Sequence, residues 1–464
     1  MAGGEESRIR ALLAQRGQEH LLEGVDQLGE VAGRDFYQEL FDLNWELLEN
    51  LKSLLAADSG GSTTSLEPAA AKTKGGDEKE DRDAREQGEA LLRAGKVAVF
   101  VVAGGQGSRL GFDGPKGMYP ATPLRKKSLF QVFAEKVAAL GTRYGRTPLW
   151  YVMTSRANDE ETRAFFAKES YFGLDSGRVK FFSQAMLPAL DRKGRILLQG
   201  PGELFLSPNG HGGSLLGLRE SGALDEMRDE GVEQIFYFQV DNPLVQIGDP
   251  EFLGHHVLEG AEMSTKVVSK RNPQEKVGVV GLVNGRYGVI EYSDLSSEEL
   301  EATTESGQLK FNAGNIAVHA IRRDFVESIT EHGLDLPYHL ARKQIPALDP
   351  ETGEPSRIDG VKFETFVFDA LARCQKSVLL AVNRDEEFAP IKNAEGEDSP
   401  QSSFAAQQAL FASWLEAAGL IIPRAADGTP SIGIEISPAC AIEASDLTAD
   451  FVDGLSTDQD LYLD

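Results

Sequence analysis

The sequence predicts an α/β fold: a doubly wound, Rossmann-like sheet with an N-terminal helical segment and a small C-terminal β lobe. Three observations predict it. Between about residues 95 and 395, short apolar runs alternate with helical patterns. The first of those runs, Val97–Val102, is wholly apolar and mostly valine, and it closes in Ala-Gly-Gly. Such a run suits a strand buried on both faces of a parallel sheet. Ahead of it, apolar residues recur at steps of three and four, the period of a helix face.

Residues 7 to 56 read as helices, with Phe36, Leu40, Leu43, Leu47, Leu51 and Leu54 along one amphipathic stripe. That stripe is a packing face rather than a site. From 58 to about 85 the composition turns to Gly, Ser, Thr, Ala, Lys, Glu and Asp, which predicts a solvated linker or mobile loop. Strands are expected at 97–102, 149–153, 179–182 and 235–240, and helices at 129–140 and around 158–166. A further helix is expected near 404–418, and the last 35 or so residues read as short strands and turns with an acidic end. The expected domains are therefore 1–94, 95–395 and 396–464. Ligands of such a sheet belong at the carboxyl ends of its strands.

The 464 residues carry 47 Lys plus Arg against 73 Asp plus Glu, a formal charge of −26. So acidic a chain argues against nucleic acid or an anionic membrane as partner. A nucleotide substrate is not excluded, since it needs only a local basic pocket. Cys374 and Cys440 lie far apart without metal-ligand spacing, as reduced thiols do. No signal-peptide pattern and no 18-residue apolar run occur, so a cytoplasmic protein is expected, monomeric or weakly homo-oligomeric.

The chemistry starts in the loop after the first strand. Gly104, Gly105 and Gly107 carry no Cβ, so a ligand can approach the backbone, whose N–H groups can cradle an anion. Arg109 and Lys116 follow as natural phosphate partners. The dinucleotide fingerprint fails because Leu110 stands where its third glycine belongs. The P-loop pattern fails because Gly117, not Ser or Thr, follows Lys116. Gln184 is either a loop glutamine or an amide reading a base edge. A second glycine-rich turn surrounds His211 with Gly210, Gly212 and Gly213. The apolar run at 235–240 ends in Asp241 and Asn242, either an Asx turn or a carboxylate placed to hold Mg²⁺. Three later runs, 276–281, 289–295 and 311–319, set polar or small residues beside apolar stretches, as a pocket wall does. Lys362 stands in an aromatic stretch and Lys392 between Ile391 and Asn393.

AGGQGSRLG, PKGMYP, VDNPLV, VIEYSDL, FNAGNI and FVFD occur in this order. The chain thereby resembles the UDP-N-acetylhexosamine pyrophosphorylases, strongly from residue 96 to 393 and more loosely outside. The resemblance implies a nucleotidyltransferase: UTP and an N-acetylglucosamine or N-acetylgalactosamine 1-phosphate give the UDP-sugar and pyrophosphate. It implies that Ala103, Gly104, Gly105 and Gln106 hold uridine and its phosphates, and that Arg109 and Lys116 bind phosphate. Gln184 and Gly210 match uracil-side contacts, and Asp241 matches the nucleotide and metal carboxylate, for Mg²⁺ or Mn²⁺. Gly278, Glu291, Tyr292, Asn312 and Asn315 fall in motifs around the sugar. Lys362 and Lys392 match lysines that meet the nucleotide phosphates and the sugar phosphate. On this reading Arg109, Lys116, Asp241 and Lys392 carry the catalysis. The family usually has Asn where this chain has His211, a residue more typical of UDP-glucose and broad UDP-sugar pyrophosphorylases. That keeps a glucose-1-phosphate or broad-specificity enzyme open as the alternative. A binding protein without catalysis and an oxidoreductase are the readings from other classes.

Overall fold

Val97–Val102 is buried along its first five residues and lies inside a large, mostly parallel sheet. The computed structural model describes residues 2–57, 65–292 and 294–464, and in it the sheet has eleven strands. They are β1 (Leu66–Pro68), β2 (Lys72–Thr73), β3 (Val97–Val102), β4 (Trp150–Thr154), β5 (Val179–Ser183), β6 (Gln234–Gln239), β7 (Met263–Ser269), β8 (Val279–Val283), β9 (Arg286–Ile290), β10 (Ala313–Arg322) and β11 (Leu379–Ala381). The order is β2-β11-β7-β10-β6-β3-β4-β5, with β8 pairing β1, β9 and β10 at one side. β10 alone along the main path runs antiparallel to its neighbours.

The valines of β3 explain its place. Val97, Val99 and Val101 pack in one core with Phe130, Phe133 and Val137 of the helix Leu129–Tyr144. Phe100, pointing the other way, meets the rings of Phe182 and Tyr237. Both faces are thus apolar, as a central parallel strand requires. The helix starts where the Ser128 hydroxyl accepts from Gln131 N and ends at Gly145, whose φ is 79°. The molecule is therefore a mixed α/β protein.

The chain divides into two units. One comprises Met1–Thr63, Ala185–Gly213 and Leu336–Val367; the other comprises Thr64–Gln184, Ser214–Asp335 and Phe368–Asp464 and contains the large sheet. In the first, helices Ala2–Arg16, Glu30–Asp42 and Trp45–Ala57 bury Leu13, Phe36, Leu40 and Leu51 against Leu190, Ile196, Val361 and Phe363. The expected single stripe is broken. Leu43 has extended backbone at φ −59° and ψ 137°, so the pattern runs over two helices, and Leu54 is exposed.

The linker expectation is corrected over its described part; residues 58–64 lie outside the described residues. Residues 66–73 add β1 and β2 to the sheet, and Glu78–Arg93 is a helix capped by the Asp77 carboxylate. Its charged sequence hides a packing seam. A Cβ on Gly88 would lie 1.8 Å from Pro250 O, and one on Gly254 1.6 Å from Ala84 O. Two glycines therefore let this helix and Pro250–Leu258 touch backbone to backbone. At the C-terminus the helix Pro400–Ala417 packs on a two-stranded parallel ladder, Ile434–Ile436 with Leu461–Leu463, so that region holds more helix than strand. Both cysteines are free thiols, and among the described residues no helix is long and apolar enough to cross a membrane.

Candidate active site

The first glycine turn leaves the carboxyl end of β3 beside the end of β6. Val102 pairs with Gln239 in register, and Val240 N donates to Val102 O at 3.2 Å. The turn is held from behind by a residue that carried no signal in the sequence. Asn158, 1% exposed, donates through Nδ2 to the carbonyls of Ala103 (3.0 Å) and Gly105 (3.3 Å). Its Oδ1 accepts from Ser155 N and Oγ. A Cβ on Gly104 would stand 3.1 Å from Gln184 Oε1, whereas one on Gly105 would meet nothing within 4 Å. Gly104 therefore brings Gln184 against the turn, and Gly105 leaves the backbone open. Gln106 is exposed, and its Nε2 donates to Ala157 O. Lys116 N donates to Gly105 O at 3.1 Å, folding the loop back so that lysine and glycines share one edge.

Lys116, Asp241, Lys392 and Arg109 come together here. The Lys116 ammonium is held below the ordinary lysine range, chiefly by burial; Asp241 opposes that, while Lys392 and Arg109 push the same way. Arg109 is exposed and forms no ion pair among the described residues. Asp241 is half-buried two residues beyond β6, and its carbonyl accepts Ile391 N at 2.8 Å, which sets Lys392 beside it. Lys392 Nζ lies 3.5 Å from Asp398 Oδ2 and over the Phe388 ring. Asp398, unflagged in the sequence, also acts on Lys116 and on Arg384. Asp241 suits a hard divalent cation: it offers one carboxylate at a cationic strand end, and Mg²⁺ takes its remaining ligands from phosphate and water.

A second group forms at β8, β9 and β10. A Cβ on Gly278 would lie 3.2 Å from Glu291 Oε1, and Gly278 O accepts Asn315 N at 2.9 Å. Tyr292 is exposed. The Asn315 side chain accepts from the amide of Ala317, a residue at φ 54° in a bulge of β10. Asn312 holds the end of β7, accepting from Lys270 N and donating to Ser269 Oγ. Ser269 O in turn accepts from Arg384, which opens the segment leading to Lys392.

Gly210, His211 and Lys362 belong to the other unit. There the glycines of the second turn serve close backbone packing: a Cβ on Gly210 would lie 2.3 Å from Thr365 O, and one on Gly212 2.7 Å from Phe366 N. His211 Nδ1 accepts from Val367 N at 3.2 Å, and its ring lies 5.3 Å from that of Phe366. Burial pushes the imidazole down to about 4, so it is neutral near pH 7. The Lys362 ammonium lies over the Phe205 ring and is lowered by burial and then by Lys343.

Away from these residues, Asp81, Glu251 and His255 bring possible metal-ligand atoms within 4.8 Å of one another. Asp81 there already accepts from Gly75 N and faces His255 Nε2 at 2.9 Å. Asp241 is not part of that group.

A family model described as UTP–glucose-1-phosphate uridylyltransferase matches residues 62–418. The chain belongs to this family. Among its similar relatives are UDP-N-acetylglucosamine pyrophosphorylase of Saccharomyces cerevisiae, 36% identical over 88% of each chain, and a probable one of Dictyostelium discoideum, 39% identical over 77% of each. The crystal structure of uridine diphosphate N-acetylglucosamine pyrophosphorylase from Trypanosoma brucei matches 99% of this chain and 98% of its own at a TM-score of 0.84 and 26% identity. This member of the uridylyltransferase family thus resembles those proteins over 77% to 99% of its length.

Proposed function

We propose that this chain is a uridylyltransferase making UDP-N-acetylglucosamine and pyrophosphate from UTP and N-acetylglucosamine 1-phosphate. The observation that carries the reading is the grouping of Lys116, Arg109, Asp241 and Lys392 beside an open glycine turn at neighbouring strand ends. The similarity to UDP-N-acetylglucosamine pyrophosphorylases over most of both chains supports the N-acetylated sugar. His211 favours a second reading, in which the same transfer uses glucose 1-phosphate or several sugars. A Rossmann-like, doubly wound organisation and a catalytic body over residues 95–395 are part of the proposal.

A sugar phosphate is already an anion at pH 7, so the reaction needs no strong base. The obstacle is the approach of one anion to the α-phosphorus of another. A sugar-phosphate oxygen forms a bond to that phosphorus as the bond to the β-phosphate oxygen breaks, and pyrophosphate leaves. Catalysis is then alignment and charge neutralisation. Lys116 and Arg109 offset charge on the α-phosphate and the departing pyrophosphate. Lys392 holds the incoming sugar phosphate. The backbone N–H groups of 104–106 receive the nucleotide, and Gln184 offers its amide to the uracil edge. Asp241 would hold Mg²⁺ or Mn²⁺, which supplies Lewis-acid neutralisation of phosphate oxygens when bound. Gly278, Glu291, Tyr292, Asn312 and Asn315 are assigned to the sugar. Gly210, His211 and Lys362 are given their roles by the family resemblance alone.

The test is pyrophosphate release from UTP and N-acetylglucosamine 1-phosphate with Mg²⁺. Turnover that a chelator abolishes is expected, and Asp241→Asn should lower turnover and need more Mg²⁺ to reach its maximum. No pyrophosphate would return the chain to the binding-protein reading.

A further inference from the structure

Asp241 and Lys392 are far apart in sequence, and the chain must bring them together and keep them there. A backbone hydrogen bond from the neighbour of Lys392, Ile391 N to Asp241 O at 2.8 Å, joins the two segments. Next to it stands Asn242, a residue 3% exposed. Its Nδ2 donates to Glu387 O at 2.7 Å, and its Oδ1 accepts from Ala389 N at 3.1 Å and Leu244 N at 3.3 Å. One amide thus grips residues 387 and 389 from the position directly after Asp241. Only a side chain with both donor and acceptor can do this.

Glu387 is fixed a second time through its carboxylate. Lys266, fully buried in β7, lies 2.5 Å from Glu387 Oε2 and 2.6 Å from Asp249 Oδ2. Lys74 Nζ lies 2.9 Å from Asp249 Oδ2 and 3.6 Å from Glu387 Oε1. Removing any one partner of such a buried cluster leaves an uncompensated charge, so the two lysines and two carboxylates hold one another in place. Glu387 is therefore pinned at backbone and side chain, and the short run to Lys392 leaves from a fixed point.

We propose that Asn242 is a positioning residue for uridylyl transfer, acting through Lys392 by clamping the 387–391 segment to the strand end that carries Asp241. The proposal rests on the reading above, in which Lys392 holds the incoming sugar phosphate. A misplacement of about 1 Å in such a group can cost roughly 100-fold in rate.

The experiment compares kcat and KM for UTP and for the sugar 1-phosphate in the full chain and in Asn242→Asp, Lys392→Ala and the double variant, with thermal midpoints alongside. Asn242→Asp keeps the size and loses the donor. Expected is a kcat loss of roughly 10- to 100-fold with KM for UTP nearly unchanged. In the Lys392→Ala background the same substitution should change kcat less than about twofold, because neighbours acting as a unit are not additive. Should Asn242→Asp fail to fold, Asn242→Ser removes the amide without adding charge and is held to the same outcomes. Equal losses in both backgrounds, or full activity in Asn242→Asp, overturn the proposal while leaving uridylyl transfer intact. No turnover by the unsubstituted chain overturns the functional reading, and this proposal with it.

Discussion

Lys116 carries the argument at the scale of the residue. Burial disfavours its charge and Asp241 favours it, so the ammonium sits below the usual 10.5. In the proposed role the working form is the protonated one, and it is lost as pH rises through that lowered value. The alkaline limb of kcat/KM should therefore begin below the range of an ordinary lysine, and Lys116→Arg should move it upward; a limb unchanged in that variant assigns it to another group. Lys116→Ala should lower kcat by orders of magnitude with the thermal midpoint kept, and near-normal turnover would refute the role. His256 sets a separate pH dependence, of stability. It is fully buried between Ser264 and Gln234, and burial holds it down at about 3 against 6.5 for an ordinary histidine. Below pH 6.5 the unfolded chain binds a proton there that the folded chain refuses, so stability falls from that pH toward 3. The loss is on the order of a few kcal/mol, and His256→Gln should flatten the slope of the denaturant midpoint against pH.

At the scale of the element, the sequence was legible where burial is symmetric. β3 coincides with its apolar run, and β4 and β6 lie within a residue of expectation, because a strand covered on both faces needs apolar residues; β5, at the sheet edge with Lys180 half-buried and Ser183 exposed, also lies within a residue of expectation. Helix Glu78–Arg93 was hidden for the opposite reason. Its buried face is small, Ala84, Gly88 and Leu92, and most of the rest is charged, so composition resembled a linker. Gly88 and Gly254 are its docking signal, but a glycine in a helix names no partner until the neighbouring backbone is known. Gly254→Ala forces a Cβ into Ala84 O and should cost about 3 kcal/mol or more in denaturant unfolding. A cost under about 1 kcal/mol would mean that the two helices separate easily.

For the whole molecule, the site's chemistry was written in motifs and its assembly was not. Arg109, Lys116 and Asp241 stood out because phosphate chemistry calls for cations and a carboxylate beside glycines, and Lys392 through the family resemblance; the structure brings the four together, and their part in the transfer is proposed. Asn158 and Asp398 were not legible, and of Asn242 only the Asx turn was, since a buried amide or a loop aspartate shows its distant partners only once the chain is folded. The formal charge of −26 is compatible with an anionic substrate because these cations are gathered at one place. What the family leaves to be settled is the sugar. The direct test is pyrophosphate release with UTP and Mg²⁺, comparing the 1-phosphates of N-acetylglucosamine, N-acetylgalactosamine, glucose and galactose. The account predicts that N-acetylglucosamine 1-phosphate exceeds glucose 1-phosphate in kcat/KM by at least tenfold, about 1.4 kcal/mol. Equal or faster turnover of glucose 1-phosphate would contradict it and make His211 the mark of a changed sugar preference.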